Sequence, residues 1–417
     1  MSTSIAITNG VLVAKNHPLN GSLVSIRWAD GIISEISSQK LDADQVIDAQ
    51  GGFISVGWCD SFAVLPDPGA EWKERLDSFA QAAIYAGFTQ SAVFAGVDPL
   101  PEKATSITAL LQRSAHFPLE ILPLGAASES CEGKEMAEVY DMYTAGTVAQ
   151  TDGIRAHGSD GFRAKLIEYA YSLGIPYLVH PFNPKWVAGG QIHEGAVSVN
   201  LGLKGIPRIA ETSALLADIE LAKWLKVPLR VLGISCKESV DIIKRARLDG
   251  VEVWAAVPMM NLCFTEADIA NFDARFKVLP PLRTEADRSA LRQAVLNGDI
   301  QAICSNHTPE DIENKKVEFD YAHYGAATLV DFIARLYASF SDTEIPLIIN
   351  ALTNGNRDFL GIKSPILAVG EPVNLTVINN SVSHPHNGSI AYNQLQMPSN
   401  GGALVCAVRD AHLMINS

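Results

Sequence analysis

The residues of this chain that could do chemistry are few and scattered. His180 ends an apolar run before Pro181, and Asp152 stands in Thr151-Asp152-Gly153. Asn306, His307 and Glu310 lie within Ser305-Asn306-His307-Thr308-Pro309-Glu310, and His384 and His386 form a His-x-His pair. Imidazoles and carboxylates converging on a divalent metal would activate a bound water for hydrolysis. Each also has a plainer role. Asp152 before a glycine suits a turn or cap, and His180 is balanced between ligand and hydrogen-bonded structural histidine. Asn306 and His307 suit a braced loop, since an amide is a poor zinc ligand. Glu310 suits a solvated position or a cap, and Met259 and Met260 suit packing. Cys304, in an apolar strand with no nearby base, reads as core. The His384/His386 pair belongs to a Ser/Pro/Asn/Gly loop far in sequence from the other candidates.

Positioning such groups requires a scaffold, and the spacing supplies one. From Phe53 to Gly361 strand-like runs alternate with amphipathic helical runs. The strands are expected at Phe53 to Cys59, Gln90 to Phe94, Glu120 to Leu124, Gly146 to Ala149, Tyr177 to His180, Leu229 to Leu232, Val251 to Ala256 and Ile300 to Ser305. Helices such as Leu76 to Ala86, Phe162 to Leu173 and Glu211 to Leu225 lie between them. Eight strand–helix units over roughly 300 residues predict an α/β fold, a (β/α)8 TIM barrel with its site at the C-terminal strand ends. A doubly wound sheet is the competing architecture.

Residues 1–52 and 362–417 have β texture, and are expected to pair as one small β-sandwich domain flanking a barrel of 53–361. Asn9-Gly10 and Asp30-Gly31 read as hairpin turns. The stretch Gly57 to Glu74, GWCDSFAVLPDPGAEWKE, predicts a buried strand entering a turn at Pro66 to Gly69.

The 417 residues carry a net charge of -14 with no compensating basic run, which argues against nucleic acid and anionic membranes as partners. Six cysteines without a Cys-x-x-Cys pair favour reduced thiols in a cytoplasmic protein. No window is apolar enough to span a bilayer, and no secretory leader is apparent.

Several segments resemble dihydroorotase and its allantoinase and hydantoinase relatives in the amidohydrolase superfamily. They are Gly57 to Gly69, Gly87-Phe88-Thr89, His193-Glu194-Gly195, Leu201 to Pro207, Ser235 to Val240, Lys277 to Arg283, Asn306 to Pro309 and Leu352-Thr353-Asn354 before Leu360-Gly361. The likeness covers nearly the whole chain and points to the dihydroorotase form found beside aspartate transcarbamoylase. It implies a barrel with a binuclear zinc site that opens or closes a cyclic amide.

Carried over position by position, the resemblance keeps two metal ligands, Asp152 and His180. It puts Phe62, Val64, Gly233 and Asn306 at the other four, Asn306 being also the position of the proton-transfer base. The substrate-binding positions hold Pro66, Gly96 and Leu279, and a further family histidine falls at Glu310. The expectation is a pseudoenzyme of pyrimidine biosynthesis without a cofactor, or with at most one weakly bound metal. It would act as a structural or regulatory subunit, homo-oligomeric and docked to aspartate transcarbamoylase or to an active dihydroorotase. The alternatives are an active cyclic-amide hydrolase with a degenerate, mononuclear or metal-independent site built from Asp152, His180, His307 and Glu310, and a binding module for a small metabolite.

Overall fold

The computed structural model describes residues 3–154, 158–187, 189–380, 406–409 and 412–415. Eight parallel strands form the barrel: Trp58–Leu65, Phe88–Ala95, Glu120–Gly125, Ala149–Gln150, Leu178–Val179, Leu229–Leu232, Val253–Pro258 and Ala302–Cys304. They fall into two four-stranded sheets in chain order. Single parallel bridges join these halves at Gln150 with Tyr177 and at Ala63 with His307, closing the ring. The expected (β/α)8 architecture is therefore the observed one.

Two apolar layers hold the barrel. Inside it, Phe62, Phe94, Leu124, Leu178, Leu232, Ala256 and Cys304 are buried in one cluster, with Val64 packed against it. A barrel interior filled this way is a packed core rather than a pore. Outside, Ala63, Leu65, Val93, Val231 and Val257 meet the helices through Phe79, Leu215, Ile243 and Leu291. The alternation of Phe62 and Val64 inward with Ala63 and Leu65 outward is the period of two that a strand imposes.

The helices begin where their caps dictate. In Asp160–Ser172 the Ser159 side chain accepts from the Phe162 amide, and in Glu285–Leu296 Thr284 accepts from Asp287, which returns the bond to the Thr284 amide.

The run expected as one strand from Phe53 to Cys59 is two strands. Phe53–Val56 pairs with Val11 to Val13 on one side and with Leu375 to Ile378 on the other. Gly57 separates it from Trp58–Leu65, and a Cβ there would sit 2.0 Å from the Asn374 Oδ1. Both chain ends thus enter one mixed sheet, which also includes Leu23–Ala29, Ile32–Ser37, Gln45–Asp48, Cys406–Arg409 and His412–Ile415.

Asp30-Gly31 turns the hairpin as expected, both residues having positive φ. Asn9-Gly10 does not. It is an irregularity inside one continuous strand, Ser4–Val13, where the register shifts between Ile7 and Gly10. The positive φ of Asn9 is spent on a bulge rather than a reversal. Within the β texture expected after residue 361, the segment 367–370 bends and turns and forms no strand, and His384 and His386 lie outside the described residues.

A third apolar cluster sits beyond the C-terminal strand ends. It joins Ile192, Met260, Ile269, Phe276, Leu282 and Phe319 from the connections after the fifth, seventh and eighth strands. No helix among the described residues is long and apolar enough to cross a membrane.

Candidate functional site at the barrel mouth

The first strand delivers hydrocarbon to the mouth. Phe62 is buried in the barrel interior, and Val64 packs beside it. Asp60 keeps its carboxylate out of chemistry by joining the first strand to the last. It accepts from the Ser305 amide at 2.8 Å and from the Ser305 hydroxyl. Burial pushes this carboxyl up to about 6, against the pull of the Ser305 hydrogen bonds. Pro66 is buried at the strand exit. Asp67 behind it accepts from Arg113 at 2.6 Å and from the Leu76 amide at 3.0 Å, so it fixes the start of the following helix. Gly96, after the second strand, has φ +95, and a Cβ there would lie 2.5 Å from the Pro99 carbonyl.

The eighth strand ends in residues whose polar groups are committed. Asn306 adopts φ +48, a conformation that asparagine tolerates. Its side-chain amide donates to the Leu279 carbonyl at 2.9 Å, and its backbone amide donates to the Phe62 carbonyl. His307 points into the core: its Nε2 meets Glu74 Oε2 at 2.5 Å and its ring packs near Phe79. Glu310 pairs with Lys73 at 2.7 Å across the rim.

The fourth and fifth strands carry Asp152 and His180. Asp152 is buried and accepts from the amides of Ala127 and Ser128, both at 2.9 Å, and from the Ser128 hydroxyl at 2.6 Å. Burial raises its pKa despite those donors. His180 is buried with its Nδ1 unpartnered among the described residues. Desolvation holds its pKa at about 4, against the opposing field of Glu211. A Cβ on Gly233 would come within 2.8 Å of the His180 Nε2, so the imidazole occupies space that a side chain at 233 would need.

The candidates Asp152, His180, Asn306, His307 and Glu310 are therefore placed separately. Asp152 braces the Ala127-Ser128 turn, His307 and Glu310 face Glu74 and Lys73, and Asn306 holds Leu279. Among the described residues His180 Nδ1 and the second Glu310 oxygen, Oε2, remain without a hydrogen bond. Among the described residues no three His, Cys, Asp or Glu side chains are grouped so that they could hold a metal ion.

Sequence reasoning did not single out Glu74, Lys73 or Ser128 as partners, because Glu74 and His307 are 233 positions apart and Lys73 and Glu310 are 237 apart. It also passed over a buried polar network beside the sixth strand. There Arg283 donates to Ser235 Oγ and to the Ile206 carbonyl, both at 3.0 Å, and lies 3.0 Å from His193 Nδ1. Glu211 accepts from the amides of Ser235 and Cys236 and from the Ser239 hydroxyl. Desolvation pushes the Glu211 carboxyl up, but Arg283 and the serine hydroxyls outweigh it and hold it below the usual range. The segments that carry this network, His193-Glu194-Gly195, Ser235 to Val240 and Lys277 to Arg283, had appeared only as motif pieces. Their chemistry is structural: one carboxylate takes the two amides that lead into the helix Lys237–Leu248, while one guanidinium ties three connections together.

A family model described as dihydro-orotase-like matches residues 52–239. Over 354 residues the chain is 34% identical to a dihydroorotase of Carboxydothermus hydrogenoformans, covering 84% of this chain and 82% of that protein. It is 30% identical over 379 residues to a dihydroorotase of Syntrophotalea carbinolica, covering 90% and 89%. The solved L-hydantoinase of Arthrobacter aurescens matches with a TM-score of 0.84 over 99% of this chain and 96% of that one, at 18% identity, a likeness of fold.

Proposed function

The chain belongs to the dihydroorotase family, and from that premise we propose that it is a non-hydrolysing member, a pseudoenzyme that retains the barrel as a structural or regulatory subunit. One observation carries the reading: hydrocarbon and amide stand where the family resemblance puts metal ligands. Phe62 and Val64 fill the barrel interior, and the Asn306 side-chain amide is spent on a backbone carbonyl. These residues do not fit a binuclear zinc centre, because neither an alkyl nor a phenyl group donates to a metal and an amide cannot replace a carboxylate as proton acceptor. Asp152 and His180 could contribute to at most one weak site, and the Asp152 oxygens already accept three hydrogen bonds.

The polarity of the rim supports the same reading. Pro66 offers no charge at the position of the family's carboxylate-gripping arginine, and Glu310 places a carboxylate where a histidine is expected. A cytoplasmic subunit of pyrimidine biosynthesis, homo-oligomeric and docked to aspartate transcarbamoylase or to an active dihydroorotase, is the role that follows.

The test is metal analysis of purified protein together with dihydroorotate and hydantoin turnover. The expected result is no stoichiometric zinc and no turnover above the buffer rate; about two zinc per chain would overturn the proposal. Turnover that disappears in both Asp152→Ala and His180→Ala would instead establish the runner-up, an active hydrolase with a degenerate site.

A further inference from the structure

The connections beyond the seventh and eighth strands present an unusual outer surface. Phe272 packs edge-on against the buried Phe319, with ring centroids 6.3 Å apart, which places the loop of Phe272 beside the segment 311–326. On that outer side Tyr321 is 76% exposed, Phe272 49% and Val317 40%. Exposed apolar side chains grouped on one surface mark interaction sites more often than singly scattered ones do.

The surface is also held in shape. Lys277 Nζ donates to the carbonyls of Phe319 and Asp320 at 2.6 and 3.2 Å, and Lys315 Nζ donates to those of His323 and Gly325 at 2.8 and 2.7 Å. Two buried ammonium groups thus fix the segment from beneath, so a partner would meet a preformed surface and lose little entropy in ordering it.

The charges on that segment are lopsided. Glu313, Glu318 and Asp320 are exposed, against one exposed lysine, Lys316, and the imidazole of His323. A second copy of this chain, itself carrying -14, would bring the same acidic fringe and be repelled.

We infer that this surface docks a protein partner whose own patch sets lysine or arginine side chains around apolar ones. The inference rests on the reading of the chain as a non-catalytic subunit and assigns the face that subunit uses. The apolar side chains would supply the buried centre of the contact, and the acids would supply its polar rim and steer the encounter.

The test uses the full chain with purified aspartate transcarbamoylase of the same organism as the probe, and measures the dissociation constant for wild type, Tyr321→Ser and the double variant Glu313→Lys with Glu318→Lys. All these positions are solvent-facing, so unfolding midpoints close to wild type serve as the control. The expected result is at least ten-fold weaker binding in both variants, with wild-type affinity falling as salt is raised. Wild-type affinity in both variants would overturn this inference and leave the subunit reading standing. Absence of any complex with wild type would overturn this inference together with docking to aspartate transcarbamoylase, and the zinc and turnover measurements above would still decide the subunit reading. Self-association of the chain that both variants abolish would assign the surface to a second copy and overturn the partner proposed here.

Discussion

His307 and Glu74 meet at 2.5 Å with both side chains fully buried, and the Thr328 amide donates to the opposite ring nitrogen at 3.0 Å. Since Nδ1 accepts that bond, Nε2 carries the proton that is given to Glu74. The pair ties the end of the eighth strand to the connection after the first. Glu74→Ala leaves a neutral imidazole donor buried without a partner and is expected to cost about 1 to 3 kcal/mol, whereas His307→Ala leaves the Glu74 carboxylate buried without its donor and is expected to cost about 3 to 5 kcal/mol. Denaturant unfolding of Glu74→Ala and His307→Ala checks this; a loss below about 1 kcal/mol in both would show that the pair does not hold the strands together.

Phe62→Ala would open a cavity inside the barrel and is expected to destabilise by about 3 to 5 kcal/mol. The double variant Phe62→His with Val64→His tests function as well as packing. Two imidazoles in that apolar cluster should lower stability without recruiting stoichiometric zinc, because Gly233 and Asn306 still supply no ligands. Zinc analysis and an unfolding curve on the same sample read both outcomes.

Gly233 combines φ +78 with a Cβ position 2.8 Å from the His180 ring. Gly233→Ala is therefore expected to lose about 1 to 3 kcal/mol from backbone strain and displacement of the imidazole. Gly174→Ala is the useful control, since it shares the positive φ but has nothing within 4 Å of its Cβ. Equal losses at the two sites would remove the contact with His180 from the explanation.

His180 should affect acid stability in a defined direction. Its folded pKa is held at about 4, below the ordinary histidine value of 6.5. As pH falls from 6.5 towards 4 the unfolded chain takes up the proton first, so stability is lost across that window. His180→Asn should flatten this limb by about 2 to 3 kcal/mol. Asp60 works the other way. Its folded pKa is raised from 3.8 to about 6, so its ionisation costs stability as pH rises through that interval and the cost is relieved as pH falls. Paired unfolding curves at the ends of the window, with and without His180→Asn, separate the two; an unchanged slope in the variant would rule out a buried neutral imidazole.

Arg283→Met removes the cation that balances Glu211 and the donor that reaches Ser235 and Ile206. The variant should lose about 3 to 5 kcal/mol, as expected when a buried charge is left without its partner. Hydrogen exchange should increase at the amides of Ser235 and Cys236, which donate to Glu211. Protection unchanged there would mean that Glu211 holds those two amides without help from Arg283.

Local spacing made the strand–helix rhythm legible, since Leu229–Leu232 and most of the long helices end within about two residues of where their periodicity places them. Two expectations missed for physical reasons. The fifth strand lies inside its expected run, but the fourth, expected at Gly146 to Ala149, is Ala149–Gln150, two residues that are too short for an alternation to register. Gly57 splits an apolar run that looks continuous because both of its halves are buried, in different layers. At the mouth, the apolar nature of Phe62, Val64 and Gly233 could be read directly, because a side chain without a donor or acceptor needs no geometry to recognise. The destinations of Asp152, His307 and Glu310 could not, since their partners come from other strands and only the closed barrel brings them together.

The closure between the first and eighth strands is made by the main chain. The Val64 amide donates to the His307 carbonyl, the Asn306 amide donates to the Phe62 carbonyl, and the Phe62 ring packs in the interior behind them. Peptide groups are common to every residue but proline, so side-chain replacement at Val64, Phe62 or Asn306 leaves both fasteners in place, and the ring can change what lines its mouth without coming apart at the seam.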